Sequence, residues 1–378
     1  MKKLRRSEIL IYCIIVLLPT YLIRFTLFGM PLNVLDIIIV GGFCLMLLDH
    51  HQSFRLGQWK YTMSSFVILG AISCLVATDF EAALGLYKSY IVEPVLVGMM
   101  VLAVRPAWHR VLYAFSVQLV FIAAVALIQS GTGYGIPPPW HVFGDDWRVT
   151  SVFAYPNAIG LLFAPIITLT IADSIVLPAQ RRWLLPISIL GLITIGLAKT
   201  QGAIIAVIAG SIFCLWRSRW RWLGLLLAAS LLALALAWPT SRTVVLFQDT
   251  SGEVRLTLWQ GTLNLLRHQP LFGAGLASFP EVYAYYKLDR HVELLLYPHN
   301  IFLDFWVELG LAGLIWLIVV VVGFFKRLWS VNSPSAIALM SSMVAIVVYG
   351  LVDVPYFKND LAVVFWILIT MSQVAADQ

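Results

Sequence analysis

The sequence predicts an all-α polytopic membrane protein, and its composition is the first reason. Of its 378 residues, 61% are hydrophobic and 12% are charged, whereas about a quarter of the residues in an ordinary soluble domain are charged. Mean hydropathy is +0.89. A soluble globule of this size could not keep so much apolar surface away from water. The composition therefore excludes a soluble enzyme, a nucleic-acid-binding domain and a disordered chain. The net charge of +6 is expected to orient loops and to contact lipid headgroups.

The apolar runs are the second reason. Because a helix needs about 20 apolar residues to cross about 30 Å of hydrocarbon, these runs predict about twelve transmembrane helices. They would form one integral membrane domain, residues 1–378. In chain order, the candidate spans are residues 9–27, 32–48, 61–77, 90–104, 108–128, 152–172, 183–199, 201–216, 222–238, 300–323, 335–356 and 361–375. Residues 78–90 could form a separate interfacial helix. The first run is too long for a signal-peptide core and has no small-x-small cleavage site after it, so we expect it to remain as the first span.

The alternation of basic residues is the third reason. With the amino terminus inside, 15 of the 25 Lys and Arg residues fall in inner segments, in short clusters at every second boundary. Cytoplasmic loops carry this kind of excess positive charge. We therefore expect both termini to be cytoplasmic. Residues 239–299 would form one long outer loop with short helices, inserted between spans 9 and 10.

Ten basic residues fall instead on the outer side or near the outer ends of spans. They are Arg24, Lys88, Arg148, Lys199, Arg242, Arg255, Arg267, Lys287, Arg290 and Lys358. An anionic ligand at the outer face would explain them, although loop solvation and salt bridges are favoured for Arg242, Arg267, Lys287 and Arg290. Lys199 lies between two apolar runs and is expected to be buried. We interpret it as functional, because a charge inside a membrane is costly.

Metal and redox sites have no support in the sequence. Cys13, Cys44, Cys74 and Cys214 lie singly in apolar runs and are expected to be small core residues. The sequence has no CxxC, HExxH or His/Cys cluster. No metal and no cofactor are therefore predicted.

The outer loop carries the candidate catalytic residues. Residues Glu253 to His268 have the apolar spacing of an amphipathic helix, which Gln269-Pro270 would end. His299 lies where the loop enters the next apolar run. A neutral imidazole can act as a general base near pH 7, but a helix-capping or interfacial histidine is an equally good interpretation. Arg255 and Lys199 would supply permanent positive charge for a phosphate group.

Several of these segments resemble the O-antigen ligase and polymerase superfamily. In the long loop and the run after it, they are Glu253-x-Arg255-x-x-x-Trp259, Pro270-x-x-Gly273-x-Gly275-x-x-x-Phe279, Pro298-His299-Asn300-x-x-Leu303 and Glu308-x-Gly310-x-x-Gly313. Elsewhere they are Arg148-x-x-Ser151-x-Phe153-x-x-Pro156-Asn157, Ala198-Lys199-Thr200-Gln201-Gly202-Ala203, Asp353-Val-Pro355, and Asn359-Asp360 with Phe365-Trp366. The superfamily often has arginine where this chain has Gln201, and Lys199 could replace its charge. The amino-terminal third resembles the superfamily only in its pattern of spans.

The resemblance implies a membrane-embedded, GT-C-like glycosyltransferase in the bacterial inner membrane. Such enzymes take a glycan from a polyprenyl diphosphate-linked donor at the outer face. They transfer it, with inversion and without a metal, to a hydroxyl of a glycan, lipid or protein acceptor. The resemblance implies that His299 is the base and that Arg255 holds the diphosphate. The candidate residues for binding diphosphate or glycan are Lys199, Arg148, Asn300, Glu253 and Trp259.

The alternative function is a transporter or flippase of lipid-linked oligosaccharide or another anionic solute. It too would need many spans and outer cations, but it predicts internal repeats and charges deep in both halves of the bundle. The sequence shows no clear repeat, and its unusual charges gather on one side, which favours chemistry at that side. Ligase, polymerase and protein O-glycosyltransferase share these motifs, and the sequence does not separate them.

Overall fold

The computed structural model describes residues 6–27, 30–50, 56–57, 59–141, 147–237, 242–244, 246–289 and 295–377. These residues are mostly helical, with one short hairpin near the amino terminus. The helices before the long loop are α1 (Arg6–Val16), α2 (Val34–His50), α3 (Trp59–Val76), α4 (Phe80–Tyr87), α5 (Glu93–Val104), α6 (Trp108–Thr132), α7 (Asn157–Val176), α8 (Pro178–Leu197), α9 (Gln201–Arg217) and α10 (Arg221–Ala237). The later helices are α11 (Thr250–His268), α12 (Phe279–Tyr283), α13 (Ile301–Leu328), α14 (Pro334–Gly350) and α15 (Asn359–Ala376).

Six stretches of helix in the described residues are long and apolar enough to cross a membrane. They are α3, the continuous stretch Phe80–Val104, α6, α7, α13 and α15. Shorter apolar helices are Val34–Leu48, Gln201–Arg217, Arg221–Leu234 and Pro334–Gly350. These helices fit the predicted all-α membrane protein. The count of about twelve spans and the layout of the outer loop stay predictions.

The first apolar run forms less helix than the sequence predicts. Helix α1 ends before a 3₁₀ turn, Leu18–Leu22, that has Pro19 near its start. Proline cannot donate the backbone hydrogen bond that would continue α1, and its ring would clash with the preceding turn. The chain then forms strands β1 (Arg24–Leu27) and β2 (Met30–Asn33), which pair antiparallel. The prediction of one helix over residues 9–27 is therefore wrong in its second half.

Residues 78–90 do not form a separate interfacial helix. Helix α4 runs through a π-helical turn, Lys88–Val92, directly into α5. Pro94 has no N–H to donate to the carbonyl of Tyr90, one turn earlier. The hydroxyl of Tyr356 donates to that carbonyl instead, at 2.9 Å. The helix therefore continues past the proline with this backbone acceptor satisfied.

Helix α13 is interrupted at Gly310, whose φ of 70° and ψ of −178° lie in a region that is essentially open to glycine only. The interruption exposes backbone groups to which the long loop binds. The N–H of Leu311 donates to Leu271 O at 3.1 Å, and the N–H of Ala274 donates to Val307 O at 2.8 Å. The glycine-rich turn of the loop thus docks through its backbone on the break in α13.

Helices α7 and α15 form the centre of the bundle, because more than four fifths of the apolar window of each is buried. Helix α7 packs against α8, α9 and α14, and α15 packs against α5. The start of α7, the start of α9 and the end of α14 meet at one end of the bundle, where Asn157, Gln201 and Tyr349 line a common cavity. The packing of these helices therefore positions the candidate site.

Helix α14 ends at Gly350, before the end of the predicted span 335–356. Residues 351–358 form an irregular connection to α15. This connection contains Asp353, whose side chain is completely buried. Because the helix ends early, Asp353 lies in a turn at the end of the bundle instead of within a span.

The cysteines are free thiols, and they do not all lie in the core. Cys74 and Cys214 are buried and Cys13 is half-buried, whereas Cys44 is exposed on the surface of the bundle. The prediction of a core position is therefore wrong for Cys44, because α2 turns that face of its apolar run outward. Among the described residues, no group of three or more His, Cys, Asp or Glu side chains is placed to hold a metal ion. Independence from metals stays a prediction.

Candidate active site

A cavity of about 720 Å³ lies where the ends of α7, α9, α11 and α14 meet. Three cationic side chains line it, Arg148, Lys199 and Arg255, together with one acidic residue, Asp249. Asp249 is the N-cap of α11 and accepts a hydrogen bond from Gly252 N at 3.2 Å. Among the described residues that line the cavity, positive charge is therefore in excess. Such a cavity suits an anionic ligand.

Arg255 lies near the start of α11, the helix that the amphipathic pattern predicts. The Nε of Arg255 donates to Val352 O at 2.9 Å. Val352 follows the end of α14, so this hydrogen bond joins the long loop to the bundle. It also holds the guanidinium of Arg255 at the cavity wall.

The guanidinium of Arg148 makes two hydrogen bonds, one more than that of Arg255. Its Nε donates to Ala198 O at 3.0 Å, and its Nη2 donates to Asn157 Oδ1 at 3.1 Å. The guanidinium carbon lies 5.1 Å from the centre of the Trp140 ring, within the range of a cation–π contact. Burial lowers the pKa of Arg148, but a guanidinium starts so far above neutrality that it keeps its proton. Arg148 therefore brings a fixed positive charge to the cavity.

Lys199 is not buried between two apolar runs, as the sequence predicts. Helix α8 ends at Leu197 and α9 begins at Gln201, so Lys199 lies in the connection between them. It is exposed, and its φ of 52° is in the left-handed region. The burial prediction is wrong because the two runs are separate helices with a polar turn between them. Lys199 and Gln201 both line the cavity.

His299 pairs with a buried carboxylate. Its Nδ1 is 3.2 Å from Oδ1 of Asp353, and their side chains are 19% and 0% exposed, respectively. The other carboxylate oxygen accepts a hydrogen bond from Asn157 Nδ2 at 3.2 Å, and Val354 N donates to Oδ1 at 2.9 Å. When Nδ1–H of a neutral imidazole donates to a carboxylate, Nε2 carries no proton. That is the form which a general base needs.

The carboxyl group of Asp353 stays ionised despite its burial. Burial by itself raises its pKa, but the hydrogen bond and charge of His299, the N–H of Val354 and the charge of Arg255 outweigh that effect. Together they hold the pKa of Asp353 below its ordinary value. An ionised Asp353 would stabilise the imidazolium that forms when His299 takes up a proton.

Two half-buried tyrosines lie next to this pair. The ring centres of Tyr297 and His299 are 4.4 Å apart, and Tyr297 hydrogen-bonds to both Asp353 and Tyr155. Burial, reinforced by the charge of Asp353, raises the pKa of both phenols. Neither phenol therefore acts as a base near neutral pH.

His299 and Asp353 lie beside the cavity rather than in its wall. Their chain neighbours Asn300 and Val352 line it, and so does Asn157, which donates to Asp353. The candidate base is therefore adjacent to the candidate phosphate-binding cations without being one of the lining residues.

Residues 186–318 match the model of the family described as O-Antigen ligase. That stretch includes Lys199, Arg255 and His299. A protein of Rickettsia conorii (strain ATCC VR-613 / Malish 7), provisionally named a polysaccharide ligase, is 25% identical over 214 residues. The resemblance to the O-antigen ligase and polymerase superfamily is confirmed. The alignment covers 51% of this chain and 51% of the relative, so the chain matches about half the length of that relative.

Asn300, which lies in one of the segments that resemble the superfamily, has a structural role in this chain. Its Oδ1 caps α13 by accepting hydrogen bonds from Phe302 N at 3.0 Å and Leu303 N at 3.1 Å. Its Nδ2 donates to Leu351 O at 3.0 Å. These bonds engage both polar atoms of the side chain, although Asn300 also lines the cavity. A contact between Asn300 and substrate stays a prediction.

Trp259 lines the cavity, whereas Glu253 does not. The Nε1 of Trp259 donates to Pro298 O at 2.9 Å, and its ring centre lies 5.5 Å from that of Phe247. Trp259 thus ties α11 to the residue before His299. Glu253 is exposed in the first turn of α11, where a negative charge favours the helix N-terminus. Nothing in this geometry supports a substrate contact for Glu253.

Asp353 and Asn157 are the residues that sequence reasoning misses. Both fall in segments that resemble the superfamily, but nothing in those segments assigns them a role. The available signal was the position of Asp353 at the end of an apolar run, since an acid in hydrocarbon needs a partner. The identity of that partner depends on the tertiary structure, because the long loop supplies it.

The other basic residues that the sequence predicts to be outer, where the structure describes them, do not line the cavity. Lys88 pairs with Asp36 at 2.5 Å, and Lys358 pairs with Asp360 at 3.5 Å. An anionic ligand is therefore not needed to explain these two lysines. Arg290 lies outside the described residues.

Proposed function

We propose that this protein is a membrane glycosyltransferase of the polysaccharide ligase or polymerase type. It would transfer a glycan from a polyprenyl diphosphate-linked donor to an acceptor hydroxyl at the outer face of the bacterial inner membrane. The observation that carries the proposal is the pair of His299 and buried Asp353 beside a cavity lined by Arg148, Lys199 and Arg255. A base next to clustered cations suits transfer from an anionic leaving group. The O-Antigen ligase match supports the same class of enzyme.

In the proposed reaction, His299 activates the acceptor. Its Nε2 takes the proton of the acceptor hydroxyl while Asp353 accepts the hydrogen bond from Nδ1–H. The hydroxyl oxygen attacks the anomeric carbon of the donor sugar. The bond from that carbon to the phosphate oxygen breaks, and its electron pair leaves with the polyprenyl diphosphate. A single displacement of this kind inverts the configuration at the carbon.

Arg255, Lys199 and Arg148 would stabilise the diphosphate. Negative charge grows on the leaving phosphate as the bond breaks, and cations already held in place lower the barrier. Arg148 is fixed by two side-chain hydrogen bonds and Arg255 by one. An arginine fork can bind phosphate bidentately, whereas Lys199 would add a point charge.

The membrane setting fits a lipid-linked donor. The cavity has apolar as well as charged lining residues, including Ile205, Val348 and Leu351. It lies at the ends of apolar helices. A polyprenyl chain could therefore remain in hydrocarbon while its diphosphate reaches the cations.

Single-turnover transfer by purified, folded variants tests the proposal. We expect His299→Ala to lower transfer by about 10²–10⁴-fold, the usual loss for a general base, with donor binding nearly unchanged. His268→Ala is the matched control, because His268 is exposed at the end of α11 and its Nδ1 lies 2.8 Å from Asn264 O. Near-normal transfer by the His299→Ala protein would show that His299 is not the base but a helix-capping or interfacial histidine.

Glycan profiling in a deletion strain separates the reaction classes. Loss of the glycan-capped acceptor indicates a ligase, and single repeat units in place of long chains indicate a polymerase. If the purified protein moved the lipid-linked donor across the membrane of lipid vesicles and formed no glycosidic bond, it would be a transporter.

A further inference from the structure

A second cavity, of about 470 Å³, lies at the other end of the helices that border the candidate active site. Helices α7, α9 and α14 each have one end at each cavity. In α7, Asn157 lines the first cavity and Val176 the second. Twenty helical residues span about 30 Å, which matches the thickness of the hydrocarbon core of a bilayer. The two cavities are therefore spaced as two opposite membrane interfaces are.

The charge of the second cavity comes from arginines. Arg217 and Arg219 line it, and no acidic residue is among its lining residues in the described chain. The Nη2 of Arg217 donates to Trp329 O at 2.8 Å and to Asn332 Oδ1 at 3.3 Å. These bonds fix the guanidinium at the rim. Arg219 is exposed and lies 5.1 Å from the centre of the Trp220 ring.

The cavity also has apolar lining residues, Ile175, Val176 and Ile337. Trp220 lines it and Trp329 contacts Arg217, and each of these tryptophans is 46% exposed. Tryptophans in this arrangement are typical of the boundary between headgroups and hydrocarbon. The cavity thus combines the held guanidinium of Arg217 and the exposed one of Arg219 with apolar side chains.

We propose that this cavity binds the phosphate headgroup of an anionic glycerophospholipid. Arg217 and Arg219 contact the phosphate, since arginine forks match phosphate oxygens. The first methylenes of the acyl chains lie on Ile175, Val176 and Ile337. Basic pockets between helices are known as headgroup sites in membrane proteins. The site is separate from the proposed glycosyltransferase activity and does not depend on it.

Lipid retention by the full-length protein tests this site. The protein is purified into nanodiscs of mixed phosphatidylglycerol and phosphatidylcholine, and the co-purified lipids are counted by native mass spectrometry. We expect preferential retention of phosphatidylglycerol. The Arg217→Gln/Arg219→Gln variant should lose this preference by about fivefold per arginine. Loss of Arg217 could disturb the fold, because its guanidinium packs on Trp329. The single variant Arg219→Gln is therefore measured as well, since the side chain of Arg219 is exposed.

The matched control is Arg182→Gln/Arg221→Gln. Arg182 lies 5.5 Å from the Trp183 ring and Arg221 lies 5.2 Å from the Trp222 ring. Both are exposed, and neither lines the cavity. This control removes the same charge and the same kind of aromatic contact. Equal loss of lipid preference in both double variants would overturn the proposal in favour of general surface charge. Displacement of the lipid by millimolar inorganic phosphate would overturn it in favour of a free-phosphate site.

Discussion

Nδ1 of His299 and Oδ1 of Asp353 lie 3.2 Å apart, although 54 positions separate the two residues in the chain. The same carboxylate accepts a hydrogen bond from Asn157, whose Oδ1 in turn accepts one from Arg148. A continuous series of hydrogen bonds thus connects a cation of the cavity to the imidazole of His299. The orientation of the candidate base therefore depends on residues from the long loop, the start of α7 and the turn after α14.

The Asp353→Asn variant should lose transfer by about 10²–10⁴-fold, because an amide neither fixes the tautomer of His299 nor stabilises the imidazolium. Asp377→Asn is the control, since Asp377 pairs with Arg105 outside the site. A full transfer rate in the Asp353→Asn protein would show that Asp353 does not act on His299.

Asp353 should also contribute to stability in a pH-dependent way. Its pKa in the folded protein lies below its ordinary value, which is about 3.9 for an unfolded chain. The stabilisation is therefore present above about pH 4 and is lost as the pH falls through the folded-state pKa. Thermal unfolding in detergent should show this acid-side decrease in the wild type and a smaller one in Asp353→Asn. Parallel curves would contradict the depressed pKa.

Arg255→Ala should weaken both donor binding and single-turnover transfer. The phosphate charge exists in the ground state and grows as the bond breaks, so both measurements depend on the guanidinium. Arg255→Lys should recover only part, because a point charge replaces a fork. Arg267→Ala is the matched control on the same helix, where Arg267 is exposed and bonds to Asn264. If Arg255→Ala bound the donor as tightly as the control, the role in holding diphosphate would be wrong.

Lys199→Met should lose most of the transfer activity, whereas Lys199→Arg should retain some, because the cavity needs charge more than a particular shape. The exposed position of Lys199 in the turn between α8 and α9 means that neither change creates a void in the core. Lys287→Met serves as the control, since Lys287 does not line the cavity. Full activity of the Lys199→Met protein would show that Lys199 is a residue of the turn with no role in stabilising the diphosphate.

Gly310→Ala should lower the free energy of unfolding by about 1–3 kcal/mol or more, because a residue with a side chain is strained in this backbone region. The added β-carbon would also meet the carbonyl of Leu271 and Cα of Phe272. Gly323→Ala, in the same helix with nothing within 4 Å of the added atom, should be neutral or slightly stabilising. Thermal unfolding of the two proteins checks this. Equal melting temperatures would mean that the loop does not dock on the break in α13.

Cysteine labelling tests the predicted topology. In a background without native cysteines, a cysteine placed at the exposed Ser251 should react with an impermeant reagent in intact cells. One placed at the exposed Ser330, after α13, should react only after permeabilisation, because the alternation of basic residues puts that end inside. The reverse pattern would put the candidate site in the cytoplasm.

The class of structure and several candidate site residues could be predicted from the sequence alone. Composition and apolar runs predict a helical membrane protein, since those properties are sums over residues and do not depend on packing. The amphipathic spacing after Glu253 predicts α11, and local motifs identify His299, Arg255 and Lys199 as candidates. Each of these inferences uses residues close together in the chain.

The partners of these residues depend on the three-dimensional packing of the chain. Asp353 looked like part of a span, and its pairing with His299 depends on where α14 ends and how the long loop returns to the bundle. Lys199 looked buried, because an apolar run does not reveal that two helices meet in a polar turn. The motif that contains Asn300 does not reveal that its side chain caps α13. Hydrogen-bond partners and exposure arise from contacts between distant segments, and a one-dimensional pattern of residue types does not contain them.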